Sequence, residues 1–293
     1  MFSETAIARG DAQTAYPDPS SWVFDMLPQA NAAEKSFGDL LAKRMAVFER
    51  LISKYGETNL EDGLRQIAVG QEIRRMERDI RSALETILDK KRVLEPVEAL
   101  WEGDNYSGVH SVDVAIASLF LGASSYYRGN MDGLVDVGIA GLFHDVGKGK
   151  NIELFSKKGY FTDDEREEMK KHPVYSVNTI KNALRGMPAD RKTAIMMYVL
   201  EHHENWDGTG YPLGLKGSRI SHGGQILRLT DSLEAGTSLA RSARYNGTAK
   251  TKEGIMADIK SKSGMFYSPY LVGRLEQGYQ GYVARHQVLR KVS

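Results

Sequence analysis

The chain has seven histidines, distributed unevenly: His110, His144, His172, His202, His203, His222 and His286. None precedes His110, and five fall between His110 and His203. His144 is followed directly by Asp145, and Asp231 interrupts the apolar run "ILRLTDSL". A single histidine near a helix end is ordinarily a cap or a hydrogen-bonded core residue. Seven polar groups on segments that otherwise read as buried helix (His110, His144, Asp145, His172, His202, His203 and Asp231) need a common compensation, and divalent cations supply one. The donors outnumber what one ion of roughly four to six ligands takes. A carboxylate shared by two ions would account for the surplus, with Asp145 the natural candidate. Two ions about 3.5–4 Å apart form a clamp suited to phosphoryl transfer. Neighbouring helical residues point about 100° apart, so His202 and His203 cannot both aim at one point from a regular helix. The following "ENWDGTG" unwinds the chain, so two separate ions or one bent approach can use both.

The elements that must position these groups are helical. From Phe37 the apolar residues Leu40, Leu41, Met45, Phe48, Leu51 and Ile52 share a helical face, which "YGETNLEDG" breaks. Leu64, Ile67, Ile73, Met76, Ile80, Leu84 and Ile87 mark a second helix, read first as packing on its own domain and alternatively as a coiled-coil-like homodimer seam. From Tyr106 onward nearly everything reads as helix. Thr162 and Glu165 have capping-box spacing, and Asp190 is the expected cap of the helix that leads to His202. No segment alternates as a strand does. The expected organisation is a loose arm over residues 1–32, a helical region over 33–100 with a regulatory or dimerising role, and an all-α domain over 101–293.

Composition excludes several classes. The chain of 293 residues has no cysteine, which removes disulfides, thiolate zinc sites, iron–sulfur clusters and cysteine nucleophiles. Any metal must be held by His, Asp or Glu. A formal net charge of +1 argues against a nucleic-acid polymer as partner. The N-terminal residues lack a signal-peptide pattern, and the most apolar stretch, "VDVAIASLFLGA", is too short to span a bilayer, so a cytoplasmic protein without a membrane partner is expected.

"HDVGK" (His144 to Lys148) resembles the signature of the HD superfamily of metal-dependent phosphohydrolases. "HHENWDGTGYP" (His202 to Pro212) resembles the hallmark of its HD-GYP branch, the cyclic di-GMP phosphodiesterases. The match continues through "LKGSRI", "LRLTDSLEAGTS" and "SGMFYSP" and covers roughly residues 105 to 285. The resemblance implies an HD-type helical bundle. It implies two divalent ions, iron first with manganese, nickel or zinc as alternatives, held by His144, Asp145, His172, His202, His203 and Asp231, with His110 beside them. In that family a hydroxide between the ions attacks phosphorus and opens cyclic di-GMP to pGpG, with GMP as a further product.

Asp145 and Lys148 are then the catalytic candidates, Lys148 steadying nonbridging phosphate oxygens. As a residue at a helix end, Lys148 would equally suit plain solvent. Gly208 and Gly210 allow close backbone approach, and Tyr211 offers a ring and hydroxyl to the site wall, a loop that could also contact another protein. Asp207 joins this substrate-binding group by holding the loop through a hydrogen bond. Two departures from the family pattern stand out. Tyr106 occupies the place of a glutamate found in members with a third ion, so two ions are expected. "LARSARY" replaces the usual "RPY", leaving Arg241 and Arg244 to grip phosphate or guanine. His222 and His286 are read as structural or exposed. The alternatives are a phosphodiesterase for hybrid cyclic GMP-AMP or another nucleotide, and a cyclic-dinucleotide receptor without turnover.

Overall fold

In the computed structural model, the described residues are 24, 37–56, 75, 78–244 and 247–292. Apart from Phe24, the expected arm over 1–32 lies outside them, as do Leu64, Ile67, Ile73 and Met76 of the second apolar stripe. The rest of that stripe, Ile80, Leu84 and Ile87, is buried in the chain's own core.

The described architecture is all-α. Helix α1 spans Phe37–Gly56 and a helical stretch follows at 78–88. Then come α2 (Lys91–Gly103), α3 (Asn105–Ala123) and α4 (Met131–Phe143). A 3₁₀ turn at Val146–Asn151 leads into the short α5 (Ile152–Ser156), α6 (Asp163–Met169) and α7 (His172–Ile180). They are followed by α8 (Ala189–Glu201), α9 (His222–Thr237), α10 (Leu239–Arg244), α11 (Lys252–Ser261) and α12 (Pro269–Val292). Among the described residues no strand occurs; Ser263 and Tyr267 form only an isolated bridge.

Helices α3 and α4 form the centre. α3 lies against α2, α4 and α9, and α8 against α4, α7 and α9. Their apolar side chains, including Leu119, Phe120, Leu134, Ile139, Phe143, Val199 and Leu229, share one core with Leu40, Ile80 and Val97 from the N-terminal side. Eighteen residues of α3, Tyr106–Ala123, are long and apolar enough to cross a membrane by composition. The window is 89% buried, so its apolar surface is spent on this core. α1 is tied to α3 by a bidentate ion pair, Arg44 Nε to Asp113 Oδ1 at 2.5 Å and Arg44 Nη2 to Oδ2 at 2.9 Å.

Two local readings have different outcomes. The capping box at Thr162 and Glu165 is complete, each side chain accepting from the other residue's backbone N–H. Asp190 is not the cap of α8: Pro188 holds that position and Asp190 lies in the first turn, where its charge suits the positive helix end.

Candidate metal centre

Four imidazoles are aimed by the same device. A ring whose Nδ1–H is committed to an acceptor presents its Nε2 lone pair in a fixed direction. His144 caps the C-terminal end of α4 and donates Nδ1–H to the Gly141 carbonyl at 2.7 Å. His172 opens α7 and donates to the Met169 carbonyl at 2.7 Å. His202 caps α8 and donates to the Val199 carbonyl at 2.6 Å. His110, within α3, instead donates to the buried carboxylate of Glu234 on α9.

The freed Nε2 atoms converge. His110 Nε2 is 3.1 Å from His144 Nε2, and His172 Nε2 is 3.2 Å from His202 Nε2. With every Nδ1 a donor, each contact sets two lone pairs face to face at hydrogen-bond distance. Such an arrangement requires a cation or a shared proton between the rings. Asp145 lies between the two pairs. Its Oδ2 faces His144 at 3.3 Å and His110 at 3.5 Å; its Oδ1 faces His172 at 3.2 Å and His202 at 3.9 Å. Oδ1 is buried and makes no hydrogen bond. Asp231 Oδ1 approaches His110 Nε2 at 3.1 Å. His203 follows α8 in the turn where the helix unwinds, its ring 4.1 Å from that of His202 and 4.9 Å from that of His172. The local unwinding resolves the problem of two adjacent histidines.

Metal-ligating atoms thus gather in groups. His110, His144 and Asp231 form one, His172, His202 and His203 another, and Asp145 joins with His144 and His202. All seven candidate ligands are brought together, and the orphaned Asp145 oxygen beside the opposed Nε2 atoms fits divalent cations.

Electrostatics follow from burial and neighbours. Burial, then neighbouring His202 and His172, pushes the His203 ring well below the ordinary imidazole range. Burial, then His144 and His172, does the same to His202. Burial also lowers His172, against the pull of Asp145. These rings are neutral, the state a ligand needs. His110 moves the other way: burial opposes its charge, but Glu234 and Asp231 raise its pKa to about 10. Burial would raise Asp145 and Asp231. Asp145 is instead held well below the carboxylate range by His144 and Lys148, and Asp231 by His110 and His203.

The centre floors a cleft of about 290 Å³. Lys148, Tyr211 and Arg241 line it, with Tyr106, Phe155 and Phe161. Lys148 stands on a 3₁₀ turn rather than an α-helical one, and its Nζ contacts Asp145 Oδ2. Tyr211 leans on the His203 ring at 4.8 Å between centroids. Asp207 is turned into its own loop, where Oδ1 accepts from Thr209 N at 3.0 Å and Thr209 Oγ1 at 2.6 Å; it is not among the cleft-lining residues. The side chain of Arg244 lies outside the described residues, as does that of His286. His222 stacks on Tyr126 at 3.9 Å, outside the centre.

The GYP loop is built around buried Glu204, whose carboxylate accepts from Leu213 N at 2.6 Å and Leu215 N at 2.9 Å. Gly210 is required by close approach: a Cβ there would lie 2.2 Å from Asn205 N and 2.5 Å from His203 O. Glu204 and Glu234 were both missed as site residues by sequence reasoning. Their signal was present, since each is an acidic residue close to a ligand, within "EHHEN" and "TDSLEAG". Ser176 was missed too. It accepts from Gly147 N and donates to the His144 carbonyl, each at 2.8 Å, locking the HD turn to α7.

Comparison with known proteins agrees with this geometry. A family model described as "HD domain" matches residues 130–271. A cyclic di-GMP phosphodiesterase of Vibrio cholerae is 36% identical over 44% of this chain and 26% of its own length. One from Thermotoga maritima is 34% identical over 47% of this chain and 36% of its own. A 3'3'-cGAMP-specific phosphodiesterase 2 of Vibrio cholerae is 30% identical over 50% of this chain and 26% of its own. The chain therefore spans about a third or less of the curated relatives it matches. Residues 130–271 thus match the HD-domain family, and the HD pair at residues 144–145, the paired histidines and the GYP loop meet in one site within that stretch.

Proposed function

We propose that the protein is a metal-dependent phosphodiesterase that hydrolyses cyclic di-GMP to pGpG. The observation that carries this reading is the convergence of four fixed Nε2 atoms on the two oxygens of Asp145. It supports a divalent-metal site at which His110, His144 and Asp231 would hold one ion and His172, His202 and His203 another, with Asp145 facing both groups. Imidazole and carboxylate donors suit iron, with manganese, nickel and zinc also compatible. When bound, the ions lower the pKa of a water and neutralise charge on the phosphoryl group.

The chain's own residues do the rest. Lys148, beside Asp145, and Arg241, across the cleft, supply fixed positive charge for the phosphodiester oxygens. The rings of Phe155, Phe161, Tyr106 and Tyr211 form walls on which purines can stack. The backbone acceptors behind His144, His172 and His202 hold the ligands in place without rearrangement as substrate enters. Leu213, 52% exposed on the GYP loop, supports a protein contact for that loop.

A second substrate is supported by the relative named for 3'3'-cGAMP, since the aromatic walls are compatible with either purine. Incubation of purified protein and iron(II) or manganese(II) with each dinucleotide, followed by chromatography, tests both. Linear pGpG from cyclic di-GMP is the expected product. Turnover of cyclic GMP-AMP alone would replace the first substrate, and binding of either without products would make the protein a receptor.

A further inference from the structure

We propose that the two halves of the centre are unequal: the His110, His144 and Asp231 half takes its divalent ion first and more tightly, because Glu234 braces it with a buried carboxylate. This inference rests on the two-ion reading above and concerns what distinguishes the two positions.

The difference lies behind the ligands. His144, His172 and His202 are each backed by a neutral backbone carbonyl. Of these four rings only His110 is backed by a carboxylate, that of Glu234, which is 1% exposed. A carboxylate acceptor makes an imidazole a stronger donor to metal than a carbonyl does, and fixes its tautomer more firmly. Glu234 and the ligand Asp231 sit one turn apart on α9, so one helix supplies both an anionic ligand and an anionic brace.

Charge points the same way. Asp145 faces both halves and favours neither. The first half adds the carboxylates of Asp231 and Glu234, while the second consists of three imidazoles. Lys148 stands on Asp145 Oδ2, the oxygen facing the first half, and offsets one of those charges. With His110 serving as a neutral ligand, the first half is the more anionic in a buried site where charge is weakly screened. Its mixed donors also suit manganese, an ion that gains less from an all-imidazole set.

The test is a titration of metal-free full chain with manganese(II), with bound ion counted by elemental analysis and followed by electron paramagnetic resonance. Wild type should bind in two steps, with an isolated-ion spectrum until the first step is complete and a spin-coupled spectrum afterwards. Glu234→Gln should weaken the tighter step about 10–100-fold and leave the weaker one unchanged. His203→Ala should abolish the weaker step and spare the tighter one, so the assignment stands or falls even if Glu234→Gln does not fold. Two steps of equal affinity, a weaker step lost in Glu234→Gln, or a tighter step lost in His203→Ala would overturn the inequality while leaving a two-ion centre intact. A chain that binds no manganese, zinc or iron would overturn the metal-centre reading itself, and this inference with it.

Discussion

Two glycines of the HD turn, two positions apart, should respond very differently to the same substitution. A Cβ on Gly147 would lie 2.3 Å from Ser176 N, 2.4 Å from the His172 carbonyl oxygen and 2.8 Å from Ser176 Oγ. Two of these atoms are backbone of α7, so no rotamer change relieves the clash. Forcing the HD turn off α7 costs about 1–3 kcal/mol as overpacking. It also strains the hydrogen bonds from Gly147 N to Ser176 Oγ and from Ser176 Oγ to the His144 carbonyl, at about 0.5–1.5 kcal/mol each. Gly147→Ala should therefore lose roughly 2–6 kcal/mol in all. For a chain of this size that is a fall of about 5–20 °C in Tm. Because Gly147 lies between Asp145 and the helix that begins at His172, manganese affinity should fall as well. A Cβ on Gly149 meets nothing within 4 Å, so Gly149→Ala should stay within about 0.5 kcal/mol of wild type. Thermal unfolding by circular dichroism, with metal binding measured on both variants, reads the comparison directly. Equal melting temperatures and equal metal affinity for the two variants would refute the packing of the HD turn on α7.

Three further expectations follow from buried charge. Removing Glu204, which accepts from Leu213 N and Leu215 N, should untie the GYP loop; in Glu204→Ala, limited proteolysis should cut within 207–217 much faster, and unchanged cleavage would count against the brace. Arg44→Met should cost about 3–5 kcal/mol in urea unfolding, because it strands Asp113, whose pKa burial already raises to about 6 against the pull of Arg44. Adding Asp113→Leu should recover much of that loss, and no recovery would mean that the pair is not the cause. Metal-free protein should be most stable near the unfolded histidine pKa of about 6.5. Below that pH, His172, His202 and His203, lowered in the fold, resist the protons that the unfolded chain takes up, so stability falls as pH falls. Above it, the contribution of His110, complete below about 6.5, is lost as pH rises toward its folded value of about 10. Calorimetry of chelated protein across this range would contradict the assignment if stability rose steadily from neutral pH to pH 10.

What was legible in the sequence was the set of imidazoles and carboxylates that meet in one site, and the helical frame. An imidazole or carboxylate inside an apolar helix leaves a local mark, and seven such marks in order converge on one site. The capping box at Thr162 was legible for the same reason, since both partners lie within one turn. Asp190 shows the limit of local rules, because Pro188 can start the same helix and does. The roles of Glu234, Glu204 and Ser176 were not legible because their partners are distant in sequence or are backbone atoms: Glu234 serves a ring on α3, and Ser176 a carbonyl at the end of α4. The cleft walls at Phe155 and Phe161 were equally hidden, as a lone aromatic near a short helix has no pattern that reveals which space it faces.

The central claim is that Asp145 stands between two divalent ions. Anomalous scattering from crystals grown with iron or manganese measures it most directly. The account predicts two peaks, one on each side of that carboxylate, the first among His110, His144 and Asp231 and the second among His172, His202 and His203. A single peak away from Asp145, or none with the ion in excess, would contradict it.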